Sequence, residues 1–201
     1  VTRRMNHLFA ATFSLLALTL GQVSPASAGP ATDVVKAKQT ALFDLLKRGG
    51  GESQKKIGVI FDEMLDYDTL AERSLGSEWA ARSDAEKRQF TELLKQLVRR
   101  SYERNLKKTL NFNIEYLGEK ESNGALTVKT RAVSRTDARE EPVEIAYKLA
   151  RSGDTWRVQD IITEGVSLVG SYRAQFTKII KKDGFPALIQ KMKDKLAKGD
   201  V

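Results

Sequence analysis

The side chains that most often carry catalysis are almost missing from this chain. Its 201 residues contain no cysteine and one histidine, His7. Beyond that position there is no imidazole or thiolate for Ser-His-Asp or Cys-His chemistry, and little for a zinc or copper site. Carboxylates remain, but their spacing is wrong for calcium. Asp66 and Asp68 stand in Asp-Tyr-Asp-Thr-Leu without the glycine and closing glutamate of a calcium loop, and they read as helix caps. Glu140-Glu141 precedes Pro142 in a turn-like link. Gly49-Gly50-Gly51 lacks the Lys-Ser/Thr that completes a phosphate-binding loop. An Asp or Tyr acting as acid or base in a cavity is the one catalytic option left by this inventory. No metal or cofactor is expected.

The apolar residues carry more information. Val34, Ala37, Ala41, Leu42, Leu45 and Leu46 recur at helical spacing over 31–48, and the glycine triplet is expected to stop that helix. A second helical stretch over 53–65 carries Ile57, Ile60, Phe61 and Met64, followed by a compact turn through Leu75-Gly76. Ser83-Asp84-Ala85-Glu86 has the capping-box pattern and should open a helix running to about Lys108. The period then becomes two: Phe112, Ile114 and Tyr116; Leu126, Val128, Thr130 and Ala132; Val143, Ile145, Tyr147 and Leu149; Trp156 and Val158. Helical spacing returns from Val166 to Ile180 and again from Leu188 to Leu196. Strands segregated from helices predict an α+β fold: a curved four-stranded antiparallel sheet packed against several helices around an apolar interior.

The N-terminus reads as an address. Arg3 and Arg4 precede the uncharged run Leu8 to Leu20, and Ala26-Ser27-Ala28 supplies the small residues of a cleavage site. Residues 1–28 are therefore expected to be a signal peptide cleaved near Ala28, with 29–201 as a single domain. That leader holds 2 of the 34 basic residues, so the remaining 173 residues carry 32 Lys and Arg against 26 Asp and Glu, a surplus of six. In an exported chain this surplus points to anionic membrane surfaces or an acidic partner before nucleic acid.

The run from Trp156 to Val169, with Trp-x-Val-x-Asp-Ile leading through Glu164-Gly165-Val166-Ser167, followed by Tyr172-Arg173 and Phe176, resembles the signature of the MlaC (toluene-tolerance) family. Asp66-Tyr67 with Leu75-Gly76-x-x-Trp79, and the stretch from Phe90 to Tyr102, agree with it, and the resemblance spans roughly residues 31–196. It implies a periplasmic carrier with no enzymatic activity. Such a carrier shuttles phospholipid between an outer-membrane lipoprotein complex and an inner-membrane ABC-transporter complex, with the acyl chains in an apolar pocket. It further implies a lipid-binding wall formed by Tyr102, Val128, Ile145, Tyr147, Leu149, Trp156, Val158, Val166 and Val169. Asp160 and Glu164 are expected to hold the strand-to-helix turn, and the lysines of 178–182 and 191–198 to meet headgroups, an acidic partner or only solvent. The protein is read as a monomer with no nucleic-acid partner. From the residues alone two alternatives stay open: a small cone-shaped α+β hydrolase or isomerase, and an interaction module with a filled core.

Overall fold

The computed structural model describes residues 29–198; the expected signal peptide and His7 lie outside the described residues. Six α-helices and five strands follow in the order α1 (Pro30–Arg48), α2 (Gly50–Met64), α3 (Tyr67–Leu75), α4 (Asp84–Thr109), β1 (Phe112–Ser122), β2 (Ala125–Ser134), β3 (Val143–Ser152), β4 (Thr155–Thr163), β5 (Val166–Ser167), α5 (Leu168–Asp183) and α6 (Phe185–Lys198).

The helix boundaries have local causes. Pro30 opens α1, where its fixed φ costs nothing. The backbone N–H and hydroxyl of Thr32 both donate to Oε2 of Glu119 on β1, at 2.6 and 2.9 Å, so the first turn of α1 is fastened to the sheet. Gly49 alone breaks the chain, at φ +64°; Gly50 and Gly51 already belong to α2. The capping box at Ser83 forms as expected. Ser83 accepts from the Glu86 N–H and the Glu86 carboxylate accepts from the Ser83 N–H, at 3.3 and 2.8 Å.

The sheet corrects the sequence reading. It has five antiparallel strands in the order β1-β2-β3-β4-β5, and it is neither closed nor strongly curled, in place of the curved four-stranded sheet expected. The fifth strand comes from a two-residue hairpin. Glu164 and Gly165 both take positive φ, 49° and 76°, which turns the chain back so that Val166 and Ser167 pair with Thr163 and Ile162. Two residues at the head of a helix cannot display an alternating pattern, so β5 has no periodic signal of its own. Closing the sheet would require β1 and β5 to meet; β5 instead passes straight into α5.

Two irregularities shape the strands. Leu117 is an extra residue between the Tyr116–Thr130 and Gly118–Lys129 pairs, and Gln159 is extra between Leu149–Val158 and Lys148–Asp160. Directly opposed residues share a face, so the bulge at Gln159 resets the alternation of β4. Val158 stands with Leu149, Ile161 with Tyr147, and Asp160 with the exposed Lys148. Helices α3 to α6 enclose a filled core around Phe90, whose ring meets Phe176 edge-on at 5.5 Å, with Phe185 at 6.4 Å. The hairpin of α1 and α2 covers the other part of the sheet less tightly.

Candidate functional site

A cavity of about 160 Å³ lies between α1, α2, α4 and the sheet. Helical spacing sets its roof. Gln39, Leu42 and Phe43 on α1 lie three and four residues apart and so share a face; Phe61, Met64 and Leu65 repeat this at the end of α2. Tyr102, Leu106 and Thr109 do so on α4. The floor follows from strand register. Ile114 opposes Ala132, Ile145 opposes Thr163 and Tyr147 opposes Ile161, so these side chains stand on one face and all line the space.

The polar groups here are few and uncharged. The Tyr116 hydroxyl donates to Oε1 of Gln39 at 2.5 Å, and the Gln39 amide donates to the Tyr147 hydroxyl at 2.9 Å. Burial pushes the phenols of Tyr116 and Tyr147 up to about 12. Burial also raises that of Tyr102, whose ring tilts against Phe61 at 5.7 Å. All three remain protonated at neutral pH. Among the described residues no Asp or Glu lines the cavity, so a general acid–base pair of the Asp/Tyr kind has no carboxylate member among them. Among the described residues no group of three or more His, Cys, Asp or Glu is placed to hold a metal, and no helix is long and apolar enough to cross a membrane. The walls offer burial to apolar chains and a few hydrogen bonds to neutral acceptors.

Of the nine wall residues expected from sequence, the structure brings Tyr102, Ile145 and Tyr147 together on the cavity. Val128, Leu149 and Val158 extend the same sheet face beyond it and are fully enclosed by packing. Trp156 is half-buried at a shallow surface recess with Val59 and Arg157, beneath the guanidinium of Arg151 at 5.7 Å. Val166 is 62 % exposed on β5, and Val169 is buried in the first turn of α5.

Asp160 accepts from the Ser167 hydroxyl at 2.7 Å and from the Val169 N–H at 3.1 Å, while Glu164 accepts from the Glu144 N–H at 2.5 Å. Both therefore hold the strand-to-helix turn. The lysines at 178, 181 and 182 and at 191, 193, 195 and 198 are exposed on α5 and α6. Sequence reasoning left out the faces of α1 and α2, although their spacing was legible. It also left out Ile161, which strict alternation with Val158 turns to the wrong side.

No curated protein sequence matches the chain. Among solved structures, a phospholipid-binding protein from Ralstonia solanacearum, determined in complex with a phospholipid, superposes with a TM-score of 0.73 at 22 % identity. The match covers 86 % of this chain and all of that one, and the likeness is one of fold. The family model described as MlaC protein matches residues 36–194. The cavity-lining residues of α1, α2 and α4, the whole sheet and α5 fall within that match, and the chain belongs to the MlaC family.

Proposed function

We propose that the protein is a periplasmic carrier of phospholipid, taking acyl chains into the cavity between α1, α2, α4 and the sheet. The observation that carries this reading is the cavity itself: an almost wholly apolar space in a chain of the MlaC family, on a fold that in the Ralstonia protein holds a phospholipid. Removing a methylene from water contributes about 0.8 kcal/mol, so a chain of roughly fifteen methylenes gains on the order of 12 kcal/mol by entering such a space. A bilayer offers the same chain a similar gain. Exchange between membrane and carrier is then close to balanced, which a shuttle requires. The partners that fit this role are an outer-membrane lipoprotein complex that yields or receives the lipid and an inner-membrane ABC-transporter complex at the other end.

At about 160 Å³ the space is smaller than the roughly 300–1,000 Å³ of pockets that enclose drug-sized ligands. Loading a whole acyl chain is therefore expected to widen the space between the roofing helices and the sheet.

Native mass spectrometry of the purified protein, before and after incubation with liposomes, tests the reading. Adducts of phospholipid mass, confirmed by lipid extraction, are expected. A protein that stays free of phospholipid after exposure to liposomes would overturn it.

A further inference from the structure

Two phenolic protons in the cavity have no acceptor among the described residues. The Tyr147 hydroxyl receives the Gln39 N–H at 2.9 Å but donates to nothing among the described residues, and the side chain is only 8 % exposed. The Tyr102 hydroxyl has no hydrogen-bond partner among the described residues either, and Tyr102 lines from α4 the same cavity that Tyr147 lines from β3. A buried donor without an acceptor costs about 1–3 kcal/mol. Tyr147 on the floor and the half-buried Tyr102 on the roof thus present two donors across an otherwise apolar space, with room for an acceptor between them. The chain from Tyr116 through Gln39 to Tyr147 fixes the Tyr147 oxygen as an acceptor on that side. Its own proton is thereby directed away from Gln39, and each bond polarises the next.

We infer that Tyr102 and Tyr147 form a donor pair for an acyl carbonyl oxygen, so that the cavity recognises the ester linkage of its lipid as well as the hydrocarbon. A carbonyl fits because it has two lone pairs and no proton to give. A phosphate does not, since among the described residues the wall holds no cation to offset the charge it would bring into a low-dielectric space. Gln39 is then a positioning residue, acting through Tyr147. This inference rests on the carrier reading, and the experiment separates the two.

Purified protein is incubated with vesicles of dioleoyl phosphatidylglycerol or of its dialkyl ether counterpart, which has the same headgroup and chain length but no carbonyl, and retained lipid is measured. The wild type is expected to favour the diester by about tenfold, the worth of a net hydrogen bond or slightly more. Tyr147→Phe and Tyr102→Phe each should lose most of that preference, read as the ratio of diester to diether retained. Gln39→Leu should weaken the preference in the same direction and gives a second route should Tyr147→Phe fold poorly.

Equal retention of diester and diether by the wild type would overturn the donor pair and leave the carrier reading standing. A preference unchanged in all three variants would do the same. Retention of neither lipid would sink both. Oleic acid, offered in parallel, separates the two sources of an acyl carbonyl: capture of the acid but not of the diester would overturn assignment of the site to a phospholipid ester.

Discussion

The side-chain amide of Gln159 donates to Oδ2 of Asp66 at 2.9 Å, joining the bulge of β4 to the start of α3. Asp66 also caps α3 through the Thr69 N–H and hydroxyl, and its own N–H donates to the Val158 carbonyl at 2.9 Å. One carboxylate thus fixes the corner where the cavity-lining α2 ends.

That corner should be acid-sensitive. Burial by itself would raise the Asp66 pKa, but hydrogen bonds from Thr69 and Gln159 and the nearby Arg157 together outweigh it and hold the carboxyl below its ordinary 3.8. With the folded value depressed, the stabilisation is fully present above the unfolded pKa and is lost as pH falls through the folded one. Thermal melts of wild type and Asp66→Asn should differ most above about pH 5 and converge toward about pH 2. A gap independent of pH would assign Asp66 a purely steric role.

Filling the cavity should separate binding from folding. Ala132 is buried beside Ile114, and Ile145 stands next to it on the floor. Ala132→Phe or Ile145→Trp puts added volume into existing space, so stability should fall by no more than about 3 kcal/mol. Phospholipid retained from liposomes should drop at least about tenfold, a loss of roughly 1.4 kcal/mol or more. Retention unchanged in both variants, with melting intact, would place the acyl chains elsewhere.

Two valines predicted from sequence to line the pocket should behave in opposite ways. Val128 is fully buried in the packed part of the sheet face, so Val128→Asp creates a buried, unpaired carboxyl and should cost more than about 4 kcal/mol, enough to unfold much of the protein. Val166→Asp, on an exposed site, should change stability by about 0.5 kcal/mol or less and leave lipid retention intact. Urea denaturation with a parallel liposome assay checks both; loss of retention in a folded Val166→Asp protein would place β5 at the cavity mouth.

The capping box supports the longest wall helix. Ser83→Ala removes the acceptor for the Glu86 N–H and should cost about 1 kcal/mol in urea denaturation. Lipid retention should be nearly unchanged, because Tyr102 and Leu106 lie about five and six turns further along α4. A matching loss of retention would mean that fraying at Ser83 reaches the cavity.

What the sequence revealed and withheld follows from the range of each signal. Helix α4 was legible because its cap and its apolar stripe are local. Four strands were legible because each is long enough to alternate. The pairing of Val166–Ser167 was not, since it depends on a turn whose Glu164 takes a left-handed φ that its residue type does not announce. Tyr102, Ile145 and Tyr147 could be named, but Gln39 and Phe43 could not. Which side of α1 meets the sheet is settled by Thr32 reaching Glu119, 87 residues away. Val128, Leu149 and Val158 carry the same pattern as Ile145 and Tyr147; only the position of the helical hairpin above them separates packed wall from open space.

The extra residue at Gln159 makes β4 a strand read in two frames. Before it, odd and even positions face one way; after it, their assignments are exchanged. Deleting Gln159 would hardly alter composition or hydropathy. It would leave Val158, Asp160 and Ile161 on their present faces and cost mainly the Gln159–Asp66 bond. Were the strand instead to run through Gln159 in strict alternation, Asp160 would turn toward the hydrocarbon space, Ile161 would go to the outside, and Ser167 and Val169 would lose their shared acceptor. In this strand the parity of the residue count governs the lining more firmly than the identity of any single side chain. A one-residue insertion or deletion that the bulge does not absorb should therefore be tolerated far less well than a substitution.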